Sequence, residues 1–276
     1  MIVHLVDGTY ELFRHFYGIR RFKKTDPPFG AVTGVLNSVA KMISEGATHI
    51  GVATDHVIES FRNGLWAGYK TGAGIEPVLR AQFQPLEEAL AAMGVAVWAM
   101  VELEADDALA SAAYLAAQDD AVEKVCIWTP DKDLAQCVVT DRVVQIDGRR
   151  GVIRDAEGVR AKFGVEPRYI TDYLALVGDA ADGYPGIPGY GPKTAASLIN
   201  RYGAIEDFPA DLLKDKRELA LLFKNLATLR TDAPLFDDVE ELRWRGATPA
   251  FPAMAKKLAD ERLATRVAKL NLHRNS

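Results

Sequence analysis

The sequence predicts an α/β protein whose parallel sheet is followed by a helical region. Two observations carry the sheet: apolar, β-branched runs alternate with helical patterns through the first half, and those runs are nearly unbroken in hydrophobicity. Such strands belong to sheets covered on both faces, and strand–helix alternation gives parallel pairing. A third observation carries the helical region, since from about residue 167 only helical patterns recur. The expected strands are Ile2–Val6, His49–Thr54, Ala96–Met100, Val125–Thr129 and Val143–Ile146, with helices near Ala31–Ser44, Pro77–Met93, Ala105–Gln118 and Lys132–Cys137. Beyond them come helices at Arg168–Val177, Pro192–Tyr202, Arg217–Arg230 and Pro252–Lys269. Pro192 suits a first helical position and Gly203 a C-terminal cap.

The stretch Asp55–Gly74 breaks the pattern. It holds Gly64, Gly68, Gly72 and Gly74 with Arg62 and Lys70 and has little periodicity, which reads as a mobile, partly helical connection. A basic, mobile segment directly after an acid suits a substrate clamp better than a passive surface loop.

At 276 residues and 49% hydrophobic content, the chain can bury a sizeable core. No apolar run is long enough for a bilayer, and IVHLVDG opens a strand without a leader pattern, so a cytoplasmic protein without membrane contact is expected. Cys126 and Cys137 match no zinc or redox spacing and read as small buried hydrophobes.

Nine carboxylates fall in five clusters: Asp7; Asp55; Glu104, Asp106 and Asp107; Asp131 and Asp133; Asp179 and Asp182. Four of these clusters follow strands that end on one rim, where ligands of parallel sheets bind. Each cluster alone has a plainer use. The acids of LEADDALAS and TPDKDLAQ suit helix caps and first turns, Asp7 suits a turn, and Asp179 and Asp182 suit a solvated face. Capping does not explain why acids recur at the same end of four strands. Carboxylates gathered this way repel unless cations bind between them, and hard divalent ions such as Mg²⁺ take oxygen ligands. A pair of such ions about 4 Å apart suits phosphodiester displacement. Setting these nine acids aside leaves 29 acidic against 33 basic residues, so the net charge of −5 does not exclude a nucleic-acid partner. In IPGYGPKTA, Gly189 and Gly191 precede a helix start with Lys193, a pattern that lets backbone approach a phosphate.

Taken in order, VDG, FR at Arg62, GYK at Lys70, EADDALAS, TPDKDLAQ, VGDAADGYPGIPGYGPKTA and LATLRTD resemble the bacterial 5′-nucleases, the flap-endonuclease-like domain at the N-terminus of many family A DNA polymerases. The resemblance covers about residues 1–245, and with no room for a polymerase before Ser276 a stand-alone, monomeric member is expected. It implies a PIN-like core over residues 1–166 with a mobile arch near 56–80, and a helix–three-turn–helix DNA-binding region over 167–276. It implies 5′→3′ exonuclease and flap-endonuclease hydrolysis of DNA with 5′ ends, flaps or nicks, or of an RNA–DNA hybrid, in primer removal or repair. The implied cofactors are two or more Mg²⁺ or Mn²⁺ ions, with K⁺ at the helix–three-turn–helix turn. All nine acids match the family's metal site, although Asp106 and Asp107 point about 100° apart on a helix and need not both bind directly. Lys70 matches the basic residue at the scissile phosphate, Arg62 and Arg14 match basic positions associated with substrate, and Gly189, Gly191 and Lys193 match the duplex-gripping turn.

Two departures stand out. Ala73 takes the place of a common Arg, in a segment slightly shorter than usual, and Gly183 takes that of a common Asn. The competing readings are a non-catalytic DNA-structure-binding protein of the same fold, which should have lost acids, and a PIN-type ribonuclease, which would not need IPGYGPKTA.

Overall fold

The computed structural model describes residues 1–20 and 28–274. Six strands form one sheet in the order β3-β2-β1-β4-β5-β6: β1 (Ile2–Asp7), β2 (His49–Asp55), β3 (Ala96–Met100), β4 (Lys124–Trp128), β5 (Val143–Asp147) and β6 (Val152–Arg154). The first five run parallel, and β6 returns antiparallel along β5. The five expected strands are all present. β6 escaped notice because three residues beyond a basic turn, DGRRG, leave no alternation to read.

Alternate residues serve the two faces. Val3, Leu5, Val125 and Ile127 are buried with the alanine-rich helix Ala105–Gln118, while Val6, Ile50 and Val52 are buried with helices Gly30–Ser44 and Phe83–Ala92. The expected 77–93 helix is broken into Pro77–Arg80 and Phe83–Ala92. Pro85 is the reason: it has no N–H for an unbroken helix and is tolerated only in a first turn. At the break, the buried Gln82 accepts hydrogen bonds from the Ala31 and Val32 amides at 3.1 and 3.3 Å and so satisfies the start of helix 30–44.

Helix Gly8–Arg20, not anticipated, follows β1 without a loop and buries only Leu12 and Phe16 among its described side chains. Gly8 permits the turn, since a Cβ there would meet Ala53 O at 2.8 Å.

The helical region packs Ile170–Val177 against Arg217–Ala227 and Pro192–Tyr202, around Leu174, Leu176, Tyr184, Ile199, Phe223 and Leu226. The last part of the region expected over 167–276 packs on the first half. The expected 252–269 helix is two, Phe251–Lys257 and Glu261–Arg274, and their Phe251, Leu258, Leu263 and Val267 are buried with helices 30–44 and 83–92 of the first half. No helix among the described residues is long and apolar enough to cross a membrane.

Candidate metal centre

Parallel pairing brings the ends of β1, β2, β3 and β4 to one rim. Asp7 ends β1 and Asp55 ends β2, while Glu104 and Asp131 follow β3 and β4 after short loops. The strand order reverses between β1 and β4, the place where ligands of open α/β sheets bind.

The acids form two groups. In the first, Asp7 accepts from the Tyr10 amide at 2.8 Å and the Thr129 hydroxyl at 2.9 Å. Burial, reinforced by Asp55 and Asp131, still pushes its carboxyl up to about 7. Asp106 is driven well above the carboxylate range by burial and then by Asp131, Asp7 and Asp55. In the second group, Asp133, Asp179 and Asp182 each offer an oxygen within 4.8 Å of the others. Burial and then Asp131, Asp182 and Asp179 push Asp133 strongly upward. Its Oδ1 is buried without a hydrogen-bond partner, as is the Tyr184 hydroxyl.

Lys70 lies between the groups, with Nζ 2.8 Å from Glu104 Oε2 and 3.0 Å from Asp182 Oδ1. Burial opposes its charge, but Glu104 and Asp182 outweigh burial and hold it well above its ordinary range. Lys132, which no motif of the sequence singles out, places Nζ 2.7 Å from Asp179 Oδ2. It stands in plain view between Asp131 and Asp133, but its reach into the second group depends on the 178–184 loop.

That loop closes on itself: Asp179 N donates to Tyr184 O at 2.8 Å, and Gly178 lies against Pro185 and Gly186. Gly183 has φ +83°, and a Cβ there would lie 2.0 Å from Gly68 O. Glycine at this position is therefore a consequence of the close docking of residues 66–70, where Lys70 N also donates to Asp182 O at 2.9 Å and Trp66 Nε1 to Gly183 O at 3.1 Å.

Three expectations for site residues change. Arg62 is 1% exposed, and its guanidinium is fully engaged with Asp107 (2.7 and 2.7 Å), Glu104 (3.2 Å) and the carbonyls of Leu226 (2.8 Å) and Thr228 (3.1 Å). It is a buried tie, closed to solvent. Asp107 is wholly buried, and its oxygens accept from Arg62 and from the amides of Glu104 (2.9 Å) and Arg230 (2.8 Å). It completes a capping box with Glu104, and the helix turns it to a different side from Asp106. The arch expected to be mobile over 56–80 is anchored through its middle, with Arg62 and Tyr69 buried and Trp66 edge-on to Phe223 at 5.2 Å.

Among the remaining expected residues, Asp55 accepts from the Ala105 amide at 2.8 Å and so caps helix 105–118 from across the rim. Arg14 is held by Glu11, His15 and Ser38, and reaching a substrate would mean leaving them. Gly189, Gly191 and Lys193 form an exposed turn, in which a Cβ at either glycine would meet nothing within 4 Å. Cys126 and Cys137 are free thiols, pushed by burial up to about 11 and about 12 and remote from any ligand role at neutral pH.

The all-oxygen donor set, the mutual repulsion and the unpartnered Asp133 Oδ1 together fit hard divalent cations. The sign of that repulsion is testable. Asp7 holds its proton more tightly in the folded chain (about 7) than an ordinary aspartate does (3.8), so its contribution to stability is full at acidic pH and lost as pH rises through 7. Asp55, Asp106, Asp133 and Asp182 shift the same way, and Glu104, lowered by its lysine and arginine partners against the pull of burial, shifts the other way. In EDTA, the melting temperature should fall between about pH 5 and 8, and Mg²⁺ should restore more stability at pH 8 than at pH 5. Equal restoration at both pH values would contradict this picture.

A parallel sheet with two acid groups at its switch point, backed by a helical region with an exposed glycine turn, defines a metal-dependent nuclease architecture. Residues 2–164 match the family described as "5′-3′ exonuclease, N-terminal resolvase-like domain", and residues 165–250 match "5′-3′ exonuclease, C-terminal SAM fold". The chain belongs to the 5′-3′ exonuclease family. It is 32% identical to the 5′-3′ exonuclease of Aquifex aeolicus, covering 87% of this chain and 86% of that protein. It is 31% identical to the 5′-3′ exonuclease of Buchnera aphidicola from Acyrthosiphon pisum, covering 84% of this chain and 88% of that one. Against DNA polymerase I of Pseudomonas aeruginosa the identity is 35% over 86% of this chain, but only 28% of the polymerase is spanned. In fold it is similar to T5 5′-exonuclease with bound zinc (TM-score 0.66, 17% identity, 98% of each chain). It is also similar in fold to the catalytic core of Rad2 in complex with DNA substrate (TM-score 0.62, 15% identity, 97% of this chain and 91% of that one).

Proposed function

We propose that this chain hydrolyses DNA phosphodiesters from 5′ ends and at the base of 5′ flaps, using two Mg²⁺ or Mn²⁺ ions, in cytoplasmic primer removal or repair. The observation that carries this reading is the pair of acid groups on either side of Lys70, the second holding the unpartnered Asp133 Oδ1. Asp7, Asp55, Asp106 and Asp131 would hold one ion and Asp133, Asp179 and Asp182 the other, with Glu104 between them. Ions held by these residues would supply Lewis-acid activation of the phosphodiester.

The protein's own groups do the rest. Glu104 and Asp182 keep the Lys70 ammonium charged and fixed, so it meets charge developing on the phosphoryl oxygens without reorganising. The exposed Gly189–Lys193 turn offers backbone amides and one cation to a duplex phosphate, an arrangement that binds backbone and reads no sequence. The same turn is where a K⁺ ion held by carbonyls would belong. A T5 flap endonuclease bound to DNA and metal ions shares the fold at 18% identity and a TM-score of 0.63, which favours the same substrate class here.

Cleavage of a 5′-flapped DNA, a nicked duplex and a single-stranded RNA, each with and without EDTA, tests the proposal. The two DNA substrates should be cut only without EDTA, and the RNA should survive. Binding without cleavage would leave a DNA-structure-binding protein, and preferential RNA cleavage would leave a PIN-type ribonuclease.

A further inference from the structure

The LATLRTD segment is absorbed by none of the chemistry above, yet it is tied to Asp107 through the Arg230 amide and to Asp133 through Gln136. Helix Arg217–Ala227 ends at Thr228, and the chain then continues without regular structure. At its start this strap is gripped by two side chains. Arg62 takes the carbonyls of Leu226 and Thr228 and passes to Asp107 and Glu104, as described above. Gln136 takes the other side, with Nε2 donating to Ala227 O at 2.9 Å and Oε1 accepting from Leu229 N at 3.1 Å. The same Nε2 also donates to Asp133 O at 2.9 Å.

We infer that Gln136 is a positioning residue for the second ion, fixing Asp133 against Asp179 and Asp182 by splicing its turn to the strap. Asp133 opens a short 3₁₀ turn, Asp133–Cys137, a form with poor hydrogen-bond geometry that needs outside support. The strap provides that support because it extends from helix 217–227, which packs on helix 170–177, and the loop carrying Asp179 and Asp182 begins where helix 170–177 ends. The amide of Gln136 therefore links Asp133 to the body that carries its two partners, beside the direct Lys132–Asp179 pair. Both its donor and its acceptor are required: a carboxylate would keep the Leu229 contact but face two carbonyls, and an apolar side chain would keep none.

The inference rests on the metal reading of the site, and calorimetric titration of the full chain with Mn²⁺ alone separates the two. Wild type should bind Mn²⁺, and Gln136→Leu and Gln136→Glu should bind about tenfold more weakly, within the range seen when groups that orient metal ligands are removed. Ser111→Ala is the control. Ser111 Oγ clamps the strap farther on, donating to Arg230 O at 3.1 Å and accepting from Ala233 N at 3.2 Å, without touching Asp133. It should lower the melting temperature and leave Mn²⁺ affinity unchanged. Wild-type affinity in both Gln136 variants, or equal weakening in Ser111→Ala, would overturn the role of Gln136. Should the leucine variant not fold, the glutamate variant decides. A wild-type chain that bound no Mn²⁺ would instead overturn the metal reading itself.

Discussion

Asp133→Asn should lower cleavage of flapped DNA at least about a hundredfold while making the ion-free protein more stable. The two effects come from one geometry. Asp133 is buried beside Asp179 and Asp182, its Oδ1 has no partner, and its carboxyl is held far above the ordinary range by burial and by the neighbouring acids. An asparagine of the same shape removes the charge and supplies N–H donors to those carboxylates, so the mutual repulsion is relieved. As an ion ligand it is a poor replacement, and loss of a group in direct contact should exceed the roughly 10–100-fold cost of losing a group one step removed. Duplex binding should stay measurable, since the Gly189–Lys193 turn does not depend on Asp133. Melting in EDTA and single-turnover cleavage in Mg²⁺ check both halves, and a lower melting temperature or near-normal turnover would contradict the assignment. A purely structural acid would give the opposite sign of stability change.

That contrast marks what the sequence could and could not reveal. The rim was legible because strand-end position follows from hydrophobic runs: Asp7 and Asp55 end theirs, and Asp131 follows its strand after a short loop. Which acids keep free oxygens was not legible, because it depends on partners distant in the chain. Asp106 and Asp107 are adjacent and chemically identical, yet one faces the other rim acids and the other is closed off by Arg62 and the Arg230 amide. Arg62, Gln136 and Lys132 take their meaning from contacts with residues 226–229 and 179, at separations no local pattern encodes. Similarly, a helical pattern at 251–274 says that a helix forms there and leaves open which core it joins. Gly183 is the reverse case: the sequence shows it only as a departure from the family pattern, and its contact with Gly68 makes it a packing requirement.

Arg62→Ala should destabilise the protein by about 3–5 kcal/mol, the cost typical of breaking a buried ion pair by removing one partner. Asp107 would keep two amide donors but lose the Arg62 cation paired with it, at a site fully closed to water. The carbonyls of Leu226 and Thr228 would lose donors as well, and an unsatisfied buried polar group costs about 1–3 kcal/mol. Arg62→Lys should rescue little, because a single ammonium cannot reproduce the two parallel bonds to Asp107 or reach both carbonyls. The double variant Arg62→Met with Asp107→Leu should recover part of the loss, because it leaves no buried charge unpaired. Urea unfolding of the four proteins measures these differences. An alanine variant within about 1 kcal/mol of wild type would return Arg62 to the surface role its place in the family pattern suggested. Activity should fall along with stability, since Arg62 also holds Glu104 and the segment that delivers Lys70, so the tie acts on the chemistry without meeting the substrate.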